Sequence, residues 1–118
     1  MNLVAHPSDL SGRIEAPGSK SHMQRLLAAG LLARGESWIR RPADAADCMA
    51  AAEVAAGLGA EIEIGQDALR IRGGLAPRKD VLHMGESGLG IRLFSPIAAL
   101  ASTPLTLMAS GTLKTRPM

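Results

Sequence analysis

The chain has 118 residues, 47% of them apolar, and a formal net charge of +2. That length suits one domain or part of a larger one. With one Phe, one Trp and no Tyr, it argues against the aromatic platform that single-stranded nucleic acid needs, and its positive charge is too small and dispersed to imply a polyanion partner.

Cys48 is the only cysteine, so no internal disulfide can form. His6, His22 and His83 are too scattered to give metal-ligand spacing. No basic-then-apolar leader opens the chain and no apolar run approaches ~20 residues, which argues against secretion and against a membrane span. A reducing, cytoplasmic setting is expected, with no metal and no nucleic acid.

In chain order, "GRIEAPG" (Gly12 to Gly18) reads as a short strand stopped by Pro17-Gly18. "KSHMQRLLAAGLLARG" reads as a helix, with Ser19 as its N-cap and Gly35 at its stop. "ESWIRRP" is a second strand, ended by Pro42. "DAADCMAAAEVAAGLG" is an alanine-rich helix with Asp44 as the expected cap and Gly57 and Gly59 near its end. "AEIEIG" and "DALRIRG" alternate cleanly, and Gly65-Gln66-Asp67 joins them as a hairpin.

The order from residue 12 to 74 is therefore βαβαββ. A second unit opens at residue 79 and runs to 118: "DVLHMG" is strand-like, "ESGLGIRLFSPIAALAS" is helical despite Pro96, and "PLTLMAS" is strand-like again. The expected fold class is α/β (α+β), built from repeated βαβαββ units with the first complete and the second truncated. The closing "LKTRPM" carries the proline of a helix start and then stops. This reads as the N-terminal part of a longer protein; the alternative is a complete small domain with a ragged tail.

The chemistry concentrates where strands hand over to helices. At ~100° per residue, Ser21, Gln24 and Arg25 share one side of the first helix, facing solvent or ligand, and Met23, Leu26, Leu27 and Gly30 share the packed side. Lys20 sits in the first turn, beside backbone N–H groups and a helix dipole that favour an anion. Arg25 can grip a phosphate or carboxylate with two parallel bonds. The plainer reading is an ordinary capped helix with surface charges. A phosphate-binding P-loop fits poorly, because Ser19 separates Gly18 from Lys20.

Two further clusters repeat the theme. "GESGLGIR" (Gly85 to Arg92) opens a helix with three glycines, letting backbone amides approach a ligand. "GTLKTRP" carries Lys114 and Arg116. Singly, a turn and an exposed basic loop account for them. In a repeated unit, however, equivalent junctions share one rim, and three such corners suit a ligand with several negative groups.

"PGSKSHMQR", followed by "LARGES", "LGAEI", a GxxGxxxR helix and "SGTLKTRPM", resembles the 5-enolpyruvylshikimate-3-phosphate (EPSP) synthase family, the 3-phosphoshikimate 1-carboxyvinyltransferases of aromatic amino acid biosynthesis. The resemblance runs from about Gly12 to Met118. It implies transfer of an enolpyruvyl group from phosphoenolpyruvate to the 5-hydroxyl of shikimate 3-phosphate, with release of phosphate and without metal or organic cofactor. By resemblance, Lys20 contacts both substrates, Ser21 and Arg25 hold shikimate 3-phosphate, and Gly88 and Arg116 receive phosphoenolpyruvate. Arg92 supports that corner, and Asp47 matches an acidic position at the start of the second helix. No catalytic acid or base is assigned within these residues, and the chain alone is expected to be inactive. The family's full-length enzyme is expected to be a monomer, and this shorter chain can self-associate through exposed apolar surface.

One departure stands out. The family's usual Asn-Ala-Gly-Thr reads Glu86-Ser87-Gly88-Leu89 here, and a carboxylate at Glu86 should repel phosphoenolpyruvate unless it is paired. Two rivals remain. The related transferase acting on UDP-N-acetylglucosamine typically has Asn after its lysine, where this chain has Ser21. A non-catalytic βαβαββ interaction module would show no small-molecule affinity.

Overall fold

The structure, a computed structural model, describes residues 1–117. Helix α1 spans Lys20–Leu32, and Ser19 caps it, its hydroxyl oxygen accepting from the His22 N–H at 3.3 Å. Its buried face is Met23, Gln24, Leu27, Ala28, Gly30 and Leu31, the i, i+3, i+4, i+7 stripe of a helix lying on a core. Strand β1 (Glu36–Arg40) follows, then α2 (Ala46–Gly57), β2 (Glu61–Ile64) and β3 (Ala68–Arg72). Next come β4 (Val81–His83), α3 (Gly88–Ala98), β5 (Thr106–Met108) and a short 3-10 helix at Gly111–Thr115.

The first sheet has the order β1-β3-β2, antiparallel throughout, with Glu36 opposite Arg72 and Ile64 opposite Leu69. Period-two alternation sends Leu69 and Ile71 into the core, where both are fully buried. Arg70 points the other way and pairs with Glu63 and Glu36 on the flanking strands. Hydrogen bonds from Arg70, and next from Trp38, hold the Glu36 carboxyl below its ordinary range. This exposed ladder accounts for the only tryptophan lying on the surface, its Nε1 donating to Glu36 at 2.9 Å.

The second sheet pairs β4 with β5 in parallel, Leu82 opposite Leu107, with α3 as the crossover between them. Helices α1, α2 and α3 pack on one another and on both sheets, so a single apolar cluster joins the two halves. Leu27, Leu31, Leu58, Leu69, Met84 and Phe94 are fully buried in it. Pro96 lies in the last turn of α3, where one lost amide bond costs least.

Four expectations are corrected. The strand at Gly12–Gly18 does not form: those residues are extended and exposed, with Ile14 93% accessible. The sheet ends on β1 and β2, and the segment pairs with neither of these edge strands. Glu15 reaches Arg41 instead, an exposed ion pair. The first unit therefore reads αβαββ among the described residues. Asp44 does not cap α2; Ala45 occupies that position with no side-chain cap bond. Gln24, expected on the side of α1 facing solvent or ligand, is fully buried, in the wall of the cleft described below. The third helix begins at Gly88, two residues later than expected, capped by the Ser87 hydroxyl, which accepts from the Gly90 N–H at 3.0 Å. Met118, the last residue of the "GTLKTRPM" segment, lies outside the described residues.

Candidate functional site

The packing of α1 beside α3 brings their N-termini to one cleft of about 370 Å³. The first amides of a helix have no acceptor within it; here these are the amides of Lys20 and Ser21 on α1, and of Gly88 and Leu89 on α3, all four residues lining the cleft. Both helix dipoles present their positive ends to the same space, the arrangement that suits an anion.

Three cations stand around it: Lys20, Arg92 and Arg116. Lys20 Nζ donates to Asp47 Oδ2 at 2.9 Å, and this hydrogen bond, backed by the charge of Asp47, raises the lysine above its ordinary pKa. Asp47 thus comes from the first turn of α2 to steer the lysine. The Cys48 thiol is close to the Lys20 carbonyl, 3.6 Å away, and burial pushes its pKa up. It is a packed thiol and not a nucleophile.

Arg116 follows the 3-10 helix, and its guanidinium lies over Gly88: a Cβ on Gly88 would sit 3.8 Å from Arg116 Nη1. Arg92 Nη2 donates to the Pro117 carbonyl at 3.2 Å, which ties the end of the segment to α3. Of the two carboxylates in the cleft wall, Asp47 is engaged by Lys20 and Glu86 by Thr112. Neither is left to repel a ligand unopposed.

The expected site residues Lys20, Ser21, Asp47, Gly88, Arg92 and Arg116 all border this one cleft. Arg25 does not line it. Its Nη1 donates to the Ser21 carbonyl at 2.9 Å, folded back along its own helix. Held there, the Arg25 guanidinium stays out of the cleft lining.

Sequence reasoning placed Gln24 on the solvent- or ligand-facing side of α1 but missed its burial and its tie to Ser87. Its Oε1 accepts from the Ser87 hydroxyl at 3.0 Å, bridging α1 to the cap of α3, while its Nε2 has no protein partner. A signal was available: Gln24 precedes Leu27 by three and Leu31 by seven, continuing the buried stripe. A larger hollow of about 440 Å³ lies between the extended N-terminal segment and β1. It has Arg40 and Arg41 on its wall but no second helix mouth, so it lacks the convergent amides of the cleft. Among the described residues no group of three His, Cys, Asp or Glu side chains is placed to hold a metal ion, and no helix is long and apolar enough to cross a membrane.

The site is that of a mixed α+β chain that aims two helix N-termini and three cations into one cleft, a geometry suited to small multiply charged anions. The comparisons show the family. The family model for EPSP synthase (3-phosphoshikimate 1-carboxyvinyltransferase) matches residues 4–118. The chain is 36% identical over 116 residues to the 3-phosphoshikimate 1-carboxyvinyltransferase of Aeropyrum pernix, covering 98% of this chain and 27% of that protein. It is 37% identical over 124 residues to the enzyme of the same name from Dinoroseobacter shibae, with the same coverage of 98% and 27%. The solved EPSP synthase of Acinetobacter baumannii superposes with a TM-score of 0.80 at 28% identity, over 91% of this chain and 25% of that one. The chain belongs to the EPSP synthase family. It spans about a quarter of the length of the curated relatives it matches.

Proposed function

We propose that the chain supplies the anion-holding part of a 3-phosphoshikimate 1-carboxyvinyltransferase site, in which an enolpyruvyl group passes from phosphoenolpyruvate to the 5-hydroxyl of shikimate 3-phosphate and phosphate leaves. One observation carries the reading: in a chain of this family, the mouths of α1 and α3 share one cleft with Lys20, Arg92 and Arg116. In this reading Lys20 touches both substrates, being the cation on the α1 side that can swing from Asp47. Ser21 holds shikimate 3-phosphate, joined by Arg25 once its guanidinium leaves the Ser21 carbonyl. The Gly88 amide and Arg116 receive phosphoenolpyruvate, and Arg92 supports them through Pro117.

The two carboxylates in the cleft are both occupied as braces, so this chain orients and neutralises the substrates, and proton transfer falls to groups it does not supply. Stabilisation of transition-state charge needs fixed donors on every side and exclusion of water, and a cleft open to solvent provides neither; the chain by itself is inactive. The proposal extends to two repeat units, residues 12–74 and 79–118, to a cytoplasmic setting, to a monomeric full-length enzyme and to self-association of this shorter chain.

The test is a binding comparison by calorimetry or by ligand-observed NMR. Shikimate 3-phosphate and phosphoenolpyruvate are expected to bind, and UDP-N-acetylglucosamine is not. Preference for the UDP-sugar would move the chain to the related transferase, and affinity for none of the three would favour a non-catalytic module.

A further inference from the structure

Glu86 places a negative charge in the wall of a cleft built for anions, a residue choice that electrostatics alone disfavours. Its hydrogen bonds give it a different task. Glu86 Oε2 accepts from the backbone N–H of Thr112 and from the Thr112 hydroxyl, both at 3.2 Å. Arg116 Nη2 in turn donates to that same hydroxyl oxygen at 3.1 Å. The hydroxyl gives its proton to Glu86 and its lone pair to Arg116, so one orientation satisfies the whole chain.

The surroundings fit a brace. Gly85 and Gly111 both have positive φ, 58° and 52°, and the Gly85 carbonyl accepts from the Ser110 N–H at 2.8 Å. A Cβ on Gly111 would collide with the Glu86 carboxylate. The Ser110 side chain makes no cap bond to the 3-10 helix, so the carboxylate of a distant residue supplies the acceptor that its first turn lacks. On the far side, Arg92 holds the Pro117 carbonyl. Arg116 is thereby clamped between two fixed points.

We infer that Glu86 is a positioning residue: through Thr112 it fixes the 3-10 helix and the Arg116 guanidinium over the N-terminus of α3, where the phosphoenolpyruvate anion is received. The inference rests on the reading of Arg116 given above. It yields an expectation opposite in sign to simple electrostatics, because removing this negative charge weakens anion binding.

The experiment titrates phosphoenolpyruvate into the 15N-labelled chain at fixed ionic strength and follows the Arg116 side-chain Nε–Hε resonance. Glu86→Ala is expected to lower affinity roughly 5- to 10-fold and to shift the Arg116 resonance in the free protein. Glu86→Gln, whose amide oxygen can accept both Thr112 bonds, is expected to restore affinity and resonance. Thr112→Val, which removes the hydroxyl between the two residues, is expected to lower affinity about 3-fold and carries the test if Glu86→Ala does not fold. Unchanged or tighter binding by Glu86→Ala, or no rescue by Glu86→Gln, overturns the inference. Arg116→Ala separates the two levels: if it leaves affinity unchanged, the reading of Arg116 itself fails; if it weakens binding while Glu86→Ala and Thr112→Val do not, only the positioning role fails.

Discussion

Lys20→Ala is expected to weaken shikimate 3-phosphate and phosphoenolpyruvate together, by roughly 10- to 100-fold each, the scale of a lost charge-assisted hydrogen bond. The lysine stands at the first turn of α1, where its charge adds to that of the helix terminus. Loss of affinity for one substrate only, measured by calorimetry with each in turn, would contradict its placement between the two. The pH profile carries a sign. Asp47 raises the Lys20 pKa, so this contribution is fully present below the ordinary lysine range and fades only as pH rises through the elevated value. The contribution of the Lys20–Asp47 pair to folding follows the same direction. Asp47→Ala removes the cause of the shift and is expected to move the alkaline loss of binding to lower pH.

Gly59→Ala is expected to be strongly destabilising for a change of one methyl group. Gly59 ends α2 with φ of 122°, and a Cβ there would meet the Ala76 nitrogen and the Gly74 carbonyl oxygen at 2.6 Å. Those atoms are backbone, and the Ala76 N–H is itself bonded to the Leu58 carbonyl at 2.9 Å, so they cannot swing aside. Backbone strain of about 1–3 kcal/mol and overpacking of about 1–3 kcal/mol combine to roughly 2–6 kcal/mol. Gly35 isolates the two parts. It also has positive φ, 106°, but nothing lies within 4 Å of an added Cβ, so Gly35→Ala should show the strain alone. Urea denaturation of both variants measures the difference; equal losses would mean that the segment 74–76 yields.

Much of this molecule is legible from residue order because local signals and tertiary needs coincide. Ser19 before an apolar stripe marks the start of α1, and Gly65-Gln66-Asp67 between two alternating runs marks the β2–β3 hairpin. The failures have a common physical form. Gly12–Gly18 has the alternation of a strand, but pairing depends on where the fold brings a segment relative to a sheet edge, which no local pattern encodes. Gln24 is polar, yet its buried site is decided by Ser87, sixty-three positions away. Arg25 has the right spacing to join Lys20 on a ligand, but a carbonyl on its own helix is the nearer acceptor. Glu86 read as a repulsive charge because its partner, Thr112, meets it only after the chain has crossed α3 and β5.

Chemical-shift mapping of the 15N-labelled chain with shikimate 3-phosphate is the most direct trial of the idea that α1 and α3 open onto one anion site. The amides of Lys20 and Ser21 and that of Gly88, on the opposite helix, are predicted to move together at a single dissociation constant. Shifts centred on Arg40 and Arg41, or confined to one helix mouth with the other unmoved, would contradict it.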